Sequence, residues 1–334
     1  MWEEANNCGQ VNKETTRWDQ TVKEKTISET RHRFQSPDQV VKDLGRVSYL
    51  ADNSSGSAVY LADRLSKPVL VEGPAGTGKT QLAKSVAEVL GARLIRLQCY
   101  EGLDESKAIY EWNYKKQLLR IQAQNVAGDQ ELSTPDSQGG KKSTWNELED
   151  DIFSEEFLLT RPLLEAISAQ DPVVLLIDEV DRVEIETEAL LLEVLSDYQV
   201  SIPELGTVTA NQVPLVFLTS NNTRELSEAL KRRCLFLYID YPELEREKEI
   251  VRVRVPGISD RLCDEIGRVV RTLRTMELKK HPSVSETLDW ARSLVLAGIQ
   301  SVDETTAQGS LNLLLKYKSD IDKAQKELSL VDKS

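Results

Sequence analysis

The segment GPAGTGKT, Gly73 to Thr80, limits what this chain can fold into more than any other stretch, because it satisfies G-x-x-x-x-G-K-[ST]. VLVE immediately before it reads as a buried strand, and KTQLAKSV immediately after it as a helix start. That strand, loop and helix form the setting the motif requires. Its glycines let backbone N–H groups turn inward around phosphate oxygens, and the helix N-terminus adds positive potential behind them. Gly73, Pro74, Ala75, Gly76, Thr77, Gly78, Lys79, Thr80 and Gln81 are therefore the expected phosphate-binding residues. Lys79 is expected to reach the β and γ phosphates and the Thr80 hydroxyl to ligate Mg²⁺. The plain alternative is a glycine turn with an exposed lysine.

A phosphate cradle hydrolyses nothing by itself. In VVLLIDE an aliphatic run buries a strand and delivers Asp178 and Glu179 at its C-terminal edge, the ligand-binding edge of an open α/β sheet. Asp178 is expected to hold Mg²⁺ through water, and Glu179 to polarise an attacking water. Without the loop, two acids there would simply solvate a strand end. VFLTSNN is a further buried strand with a polar end, and the neutral amide of Asn221 can hold the lytic water without adding charge. An Asn cluster after a strand is otherwise a turn signal, so this assignment depends on the first two. EALKRRC, Glu228 to Cys234, comes just before a fifth strand. An Arg there can neutralise charge on a transferring phosphoryl group, in cis or from a neighbouring subunit. Taken alone, Lys231, Arg232 and Arg233 read as a solvated basic face.

The rest of the chain suits this reading. Its 334 residues suffice for about two domains. KPVLVEG, ARLIRLQ, DPVVLLIDE, VPLVFLTSN and CLFLYID are five short apolar runs bounded by breakers, and helical stretches lie between them. The expected fold class is α/β, a five-stranded parallel sheet sandwiched by helices, followed by a small all-helical lid. Residues 1–36 hold nine apolar residues with no sustained period and are expected to be a disordered arm. The nucleotide-binding domain is then 37–240, with a flexible insertion at 122–146, and the lid is 241–334. QVSIPELGTVTA reads as a protruding hairpin. In the lid, Ile258, Leu262, Ile266, Val269, Leu273 and Met276 follow at steps of three or four, and further helices fit 244–254, 284–297 and 308–329.

Net charge narrows the partners. With 42 Lys and Arg against 55 Asp and Glu the formal charge is −13, which repels phosphate backbones and makes nucleic acid an unfavoured partner. No apolar run reaches the roughly 20 residues needed to span a bilayer. The opening MWEEANNC has neither a basic nor an apolar leader region, so a cytoplasmic location is expected. Cys8, Cys99, Cys234 and Cys263 are scattered without a CxxC pair, which fits reduced structural thiols rather than a zinc site.

The four pieces in this order, followed by a helical lid, resemble an AAA+ ATPase. QCYEGLDESKAIYEWNYKKQLL, DIFSEEFLLTRPLLEAI, LLLEVLSDYQVSIPELGTV and ALKRRCLFLYIDYP are similar more narrowly to the MoxR branch, especially its CoxD-like members. The likeness covers about residues 37–330, the insertion apart. It implies ATP and Mg²⁺ as cofactors and a ring homo-oligomer, usually a hexamer. ATP then sits between subunits and a neighbour contributes an arginine finger, which falls on Arg233 here, with Arg232 second. It also implies a von Willebrand factor A domain partner and a client enzyme, often a metalloenzyme that the pair matures. One departure stands out: the family often places a nucleotide-sensing Arg at the start of a lid helix, yet no Arg appears between His281 and Trp290, and Arg292 comes one turn late. The competing functions are an ATPase acting on nucleic acid and an ATP-gated scaffold that does not hydrolyse. Trp112, Tyr110 and Tyr114 either grip a client in a central pore or pack a helix face.

Overall fold

Two faces of one sheet account for most of the core. The computed structural model describes residues 32–131 and 152–331. Its five central strands are β1 (Val69–Glu72), β2 (Arg93–Gln98), β5 (Val173–Asp178), β8 (Leu215–Ser220) and β9 (Leu235–Tyr238). All pair in parallel, in the order β2-β5-β8-β1-β9. Each corresponds to one of the five apolar runs. Register places Gln98 beside Asp178 and Glu72 beside Ser220, so the polar strand ends line up along one edge.

Period-two alternation divides the aliphatic residues between the faces. Leu175, Ile177, Val216 and Leu218 join one buried cluster, and Val174, Leu176, Leu215 and Phe217 the other. Covering the second face are α1 (Pro37–Arg46), α2 (Asn53–Leu65) and α3 (Lys79–Leu90). Each begins or ends as its sequence dictates. Ser36 and Asp52 cap α1 and α2 by accepting from Gln39 and Ser55 amides, and Gly91 closes α3 in the left-handed region. The first face is covered by α6 (Pro162–Ser168) and α7 (Ile185–Asp197).

Several expectations are corrected. The expected arm, 1–36, lies outside the described residues as far as Arg31, but its last residues join the body. Phe34 is buried, and its amide donates to Asp63 at 3.3 Å. A large apolar side chain next to a helix cap has more to gain from the core than from water. The expected insertion at 122–146 starts inside a helix, because α5 runs over Tyr114–Glu131, and residues 132–146 lie outside the described residues. Gln and Ala carry a helix adequately, and polarity alone did not mark its end. The sequence reading missed a short antiparallel pair, β3 (Tyr110–Trp112) with β4 (Leu158–Thr160); three residues are too few to display a period. Trp112 is buried and meets the Phe153 ring edge-on at 5.2 Å, so it packs rather than facing a pore. Tyr114, in contrast, is exposed.

The expected hairpin forms from β6 (Gln199–Ile202) and β7 (Gly206–Thr209). It protrudes on one side only, since Val200 and Ile202 are buried in the first-face cluster. Beyond Pro242 the chain is helical: α9 (Leu244–Arg254), α10 (Asp260–Thr275), α11 (Val284–Leu296), α12 (Glu304–Leu314) and α13 (Lys318–Val331). These helices bury their own cluster around Leu262, Ile266, Val270, Leu273 and Trp290. Ile258 and Met276 lie just outside α10, and Val269 is only partly buried. The single helix expected at 308–329 is two, because buried Leu315 turns extended between α12 and α13. Buried Asp320 then accepts the Lys279 and Lys280 amides at 3.2 and 3.3 Å, a tertiary tie that no local pattern reveals. Among the described residues, no helix is long and apolar enough to cross a membrane.

Candidate functional site

The site assembles where β1, β5 and β8 end. Gly73 has φ of 148°, and a Cβ there would sit 2.0 Å from the Ile239 carbonyl oxygen, so only glycine lets the loop pass this close to the chain leaving β9. Gly78 starts α3 in the left-handed region with no side-chain cap, leaving the first amides of that helix for a ligand. Lys79 is buried and folds back, donating to the Gly73 and Pro74 carbonyls at 2.8 and 2.7 Å. Burial draws its pKa below the usual lysine value, while the charges of Asp181, Asp178 and Glu179 oppose that and favour the ammonium.

Asp178 closes β5 and is the hub of the site. Its Oδ1 accepts the Thr80 and Thr219 hydroxyls at 2.9 and 2.5 Å. Its Oδ2 accepts the Arg96 guanidinium through Nε at 3.0 Å and a terminal nitrogen at 2.5 Å. Glu179 follows with φ 59° and ψ 49°, a left-handed backbone that costs a non-glycine residue of order 1 kcal/mol. Its amide donates to Thr219 at 2.9 Å, and its carboxylate accepts Gln98 and Arg182, both at 3.0 Å. The same Arg96 also donates to the Gln98 side-chain carbonyl, which turns the Gln98 amine toward Glu179.

Asn221 follows β8 and is positioned through its backbone. Its amide donates to Asp181 Oδ2 at 3.2 Å, and the Thr223 amide and hydroxyl donate to the same oxygen at 2.9 and 2.6 Å. Burial alone would raise the Asp181 pKa; the Thr223 and Asn221 hydrogen bonds outweigh it and hold the carboxyl below the usual aspartate value. Nearby Cys99 is buried with its pKa pushed up to about 12, mainly by desolvation and then by Asp178, so it remains a thiol.

Two adjoining cavities occupy this edge. The smaller, about 330 Å³, is lined by Lys79, Thr80, Asp178, Glu179, Asn221 and Thr219, together with Ala75, Gly76, Gly78, Gln81, Lys84, Arg96 and Ser285. It thus gathers the expected base, lysine, metal-binding pair and amide around one space. The larger, about 410 Å³, runs between Tyr49, Asp52 and Thr77 on one side and Tyr241, Arg246 and Leu288 on the other. Burial raises the Tyr49 phenol well above its ordinary pKa, aided by Asp52, so it keeps its proton at neutral pH.

The C-terminal helices complete the enclosure. Ser283 and Glu286 form a capping box at the start of α11, and the Ser285 amide donates to the Gly76 carbonyl at 3.3 Å. No arginine of α11 lines either cavity, and Arg292 pairs with Asp289 at 3.1 Å. The cations that these helices bring to the larger cavity are Arg246 and Arg254, from α9. Arg233 ends α8 (Glu228–Arg233) away from both cavities; its Nε donates to the Ser196 hydroxyl at 2.5 Å and another nitrogen to Ala229 O at 3.3 Å. Arg232 is also exposed and lines neither cavity.

The donor set suits a hard divalent cation. The hydroxyl of Thr80 and the carboxylate of Asp178 meet at 2.9 Å on the wall of the phosphate cavity, and among the described residues no group of three or more His, Cys, Asp or Glu is placed to hold a metal. Magnesium characteristically binds through one or two protein oxygens, with phosphates and water filling the remaining positions, and this pair fits that habit. The sequence reading missed Arg96, Gln98, Thr219 and Asp181. Only their positions in runs ending at a strand edge could have flagged them.

Residues 69–240 match the family model described as "ATPase family associated with various cellular activities (AAA)". Among curated proteins, "Uncharacterized protein SAB1265c" of Staphylococcus aureus (strain bovine RF122 / ET3-1) is 26% identical over 238 residues, 69% of this chain and 76% of that protein. A counterpart in strain USA300 is 25% identical over the same shares. Among solved structures, the Thermotoga maritima RuvB Holliday junction branch migration motor is similar at 16% identity and a TM-score of 0.43, over 84% of this chain and 72% of that chain. A variant of the same RuvB reaches a TM-score of 0.46 at 16% identity, over 84% and 73%.

Proposed function

Because the chain belongs to the ATPase family associated with various cellular activities, we propose that it binds ATP with Mg²⁺ in the paired cavities and hydrolyses the terminal phosphate. The observation that carries this reading is the convergence of Lys79, Thr80, Asp178, Glu179 and Asn221 on one space of about 330 Å³. Lys79 exchanges its two loop carbonyls for phosphate oxygens, a substitution of one set of acceptors for a charged one. Thr80 and Asp178 would hold Mg²⁺, which supplies charge neutralisation at the bridging phosphates. Glu179 takes a proton from the attacking water, and the Asn221 side chain orients that water from the neighbouring strand end. Tyr49, Arg246 and Leu288 enclose the base and sugar end.

The second part of the reading is assembly. Arg233 serves a neighbour's nucleotide in a ring homo-oligomer, with a hexamer the expected form and Arg232 the alternative finger. Its support is placement: Arg233 sits on an exposed helix end away from its own chain's cavities. Mixing Arg233→Ala chains with Lys79→Ala chains tests it. Restored turnover supports a finger acting across an interface, and no rescue in confirmed oligomers argues for action in cis.

The resemblance to the MoxR branch extends the proposal to a chaperone role. The ring remodels or matures a client, a metalloenzyme in the CoxD-like case, together with a von Willebrand factor A domain protein. The net charge of −13 supports a protein rather than a nucleic-acid partner. Proteins captured from native cells on the ATP-loaded Glu179→Gln chain test this. A von Willebrand A protein or a metalloenzyme among them supports the role, and release of ATPase activity by DNA or RNA alone speaks against it.

A further inference from the structure

The Asp178 carboxylate is already saturated. A carboxylate offers about four lone-pair sites. Here Oδ1 takes the hydroxyls of Thr80 and Thr219, and Oδ2 takes two nitrogens of Arg96, while the side chain is only 4% exposed. A nearly buried anion is thereby neutralised by a cation of the chain itself. Arg96 differs from a buried structural partner in one respect, since its own side chain is 47% exposed and lines the phosphate cavity. Its guanidinium can leave the carboxylate for a new anion in that cavity without crossing packed core. Lys79, also lining the cavity, adds a second positive charge.

Resting on the ATP and magnesium reading above, we infer that Arg96 is a positioning residue that makes metal entry conditional on nucleotide. In the nucleotide-free chain its charge stands where it offsets Asp178, the carboxylate that pairs with Thr80 in the cavity. Three cations, Lys79, Lys84 and Arg96, then face two carboxylates, Asp178 and Glu179, a balance that disfavours a further cation. A polyphosphate reverses the balance by bringing several negative charges, which give Arg96 a second partner and supply most of the metal's oxygens. The site then takes metal as a metal–nucleotide complex and stays closed to free metal. An ion pair that merely fastens β2 to β5 would leave metal uptake untouched, which separates the two roles.

The test is Mn²⁺ uptake by the nucleotide-free full chain, read from loss of the free-ion paramagnetic resonance signal. Two neutral replacements, Arg96→Gln and Arg96→Met, are expected to take up one ion about tenfold or more tightly than the parent chain. Arg96→Lys, which keeps the charge, is expected to resemble the parent. Adding Asp178→Asn to either neutral variant is expected to abolish the gain. Equal uptake by parent and neutral variants, including none by either, overturns the inference, as does a gain that survives Asp178→Asn. Parallel ATP binding with and without Mg²⁺ on the parent chain separates the failures. Magnesium-linked ATP binding with unaltered Mn²⁺ uptake sinks only the role of Arg96, whereas ATP binding indifferent to magnesium sinks the reading beneath it.

Discussion

The two walls of the nucleotide cavity are built in opposite ways. On the sheet wall every acid is held by several hydrogen bonds: Asp178 by three side chains, Glu179 by Gln98 and Arg182, and Asp181 by the Asn221–Thr223 turn. The helical wall is held chiefly from inside, with Arg246 tying it to the Ala51 carbonyl at 2.8 Å. Within it, Arg274 makes a bidentate pair with buried Glu247 at 2.6 and 2.9 Å and lies 4.7 Å over the Tyr241 ring, while Thr287 donates to the same carboxylate at 2.9 Å. Toward the phosphate loop it offers mainly the Ser285 amide at 3.3 Å and the Ser285 hydroxyl at 3.5 Å. In the proposed reading the chemistry therefore falls to the sheet wall, and the helical wall meets the phosphate loop through Ser285 while its arginines, Arg246 and Arg254, line the larger cavity.

The largest expected effect breaks the sheet wall at its chemical centre. Glu179→Gln keeps the shape and the Gln98 contact but removes the base, so phosphate release is expected to fall by about a thousandfold with ATP affinity retained. Unchanged release would remove Glu179 from its role.

Next in size is an effect inside the helical wall. Glu247→Gln leaves the Arg274 charge poorly compensated and is expected to cost about 3 kcal/mol of stability, read as a lowered thermal or urea midpoint. A loss much below 1 kcal/mol would mean that this wall is not held by its buried pair.

A smaller effect probes the tie between the two strand ends. Asp181→Asn keeps the size but weakens the hydrogen bonds that fix the Asn221 turn, so turnover is expected to drop about tenfold with little change in KM. Acid stability offers a second readout. The Asp181 pKa is depressed on folding, so its contribution is present above the unfolded value, about 3.9, and is lost as pH falls through the lower folded one. The parent chain is therefore expected to lose more stability than Asp181→Asn across that acid range, and parallel losses contradict it. The smallest effect belongs to Ser285→Ala, which removes only the long hydroxyl contact; nucleotide affinity is expected to weaken by about threefold or less. A tenfold loss would place real recognition on the helical wall and erase the contrast.

The two walls also differ in how far the sequence discloses them. Gly73 to Thr80, Asp178, Glu179 and Asn221 were legible because glycine spacing and buried runs ending in acids or amides are local signals, and the same runs gave all five parallel strands. Arg96 and Gln98 sit in ARLIRLQ, where alternation reads only as a strand; which neighbour their heads meet depends on β2 lying beside β5, a long-range pairing. Asp181 was passed over because its partners come from residues about 40 positions later. The helical wall was legible as amphipathic helices, down to the starts of α9 and α11 at 244 and 284, but not in the break that divides its last stretch. Leu315 interrupts an otherwise periodic stretch. Arg233 meets only Ser196 and Ala229 within its own chain, so its role as a finger stays a proposal.

The central claim is that Lys79, the Thr80–Asp178 pair and Glu179 close around one magnesium-bound triphosphate. Calorimetric titration of ATP into the parent chain and into Lys79→Ala, each with Mg²⁺ and with a chelator, tests it most directly. The account predicts saturable binding to the parent that strengthens with Mg²⁺ and is lost in Lys79→Ala. Binding that ignores both the metal and the lysine contradicts it.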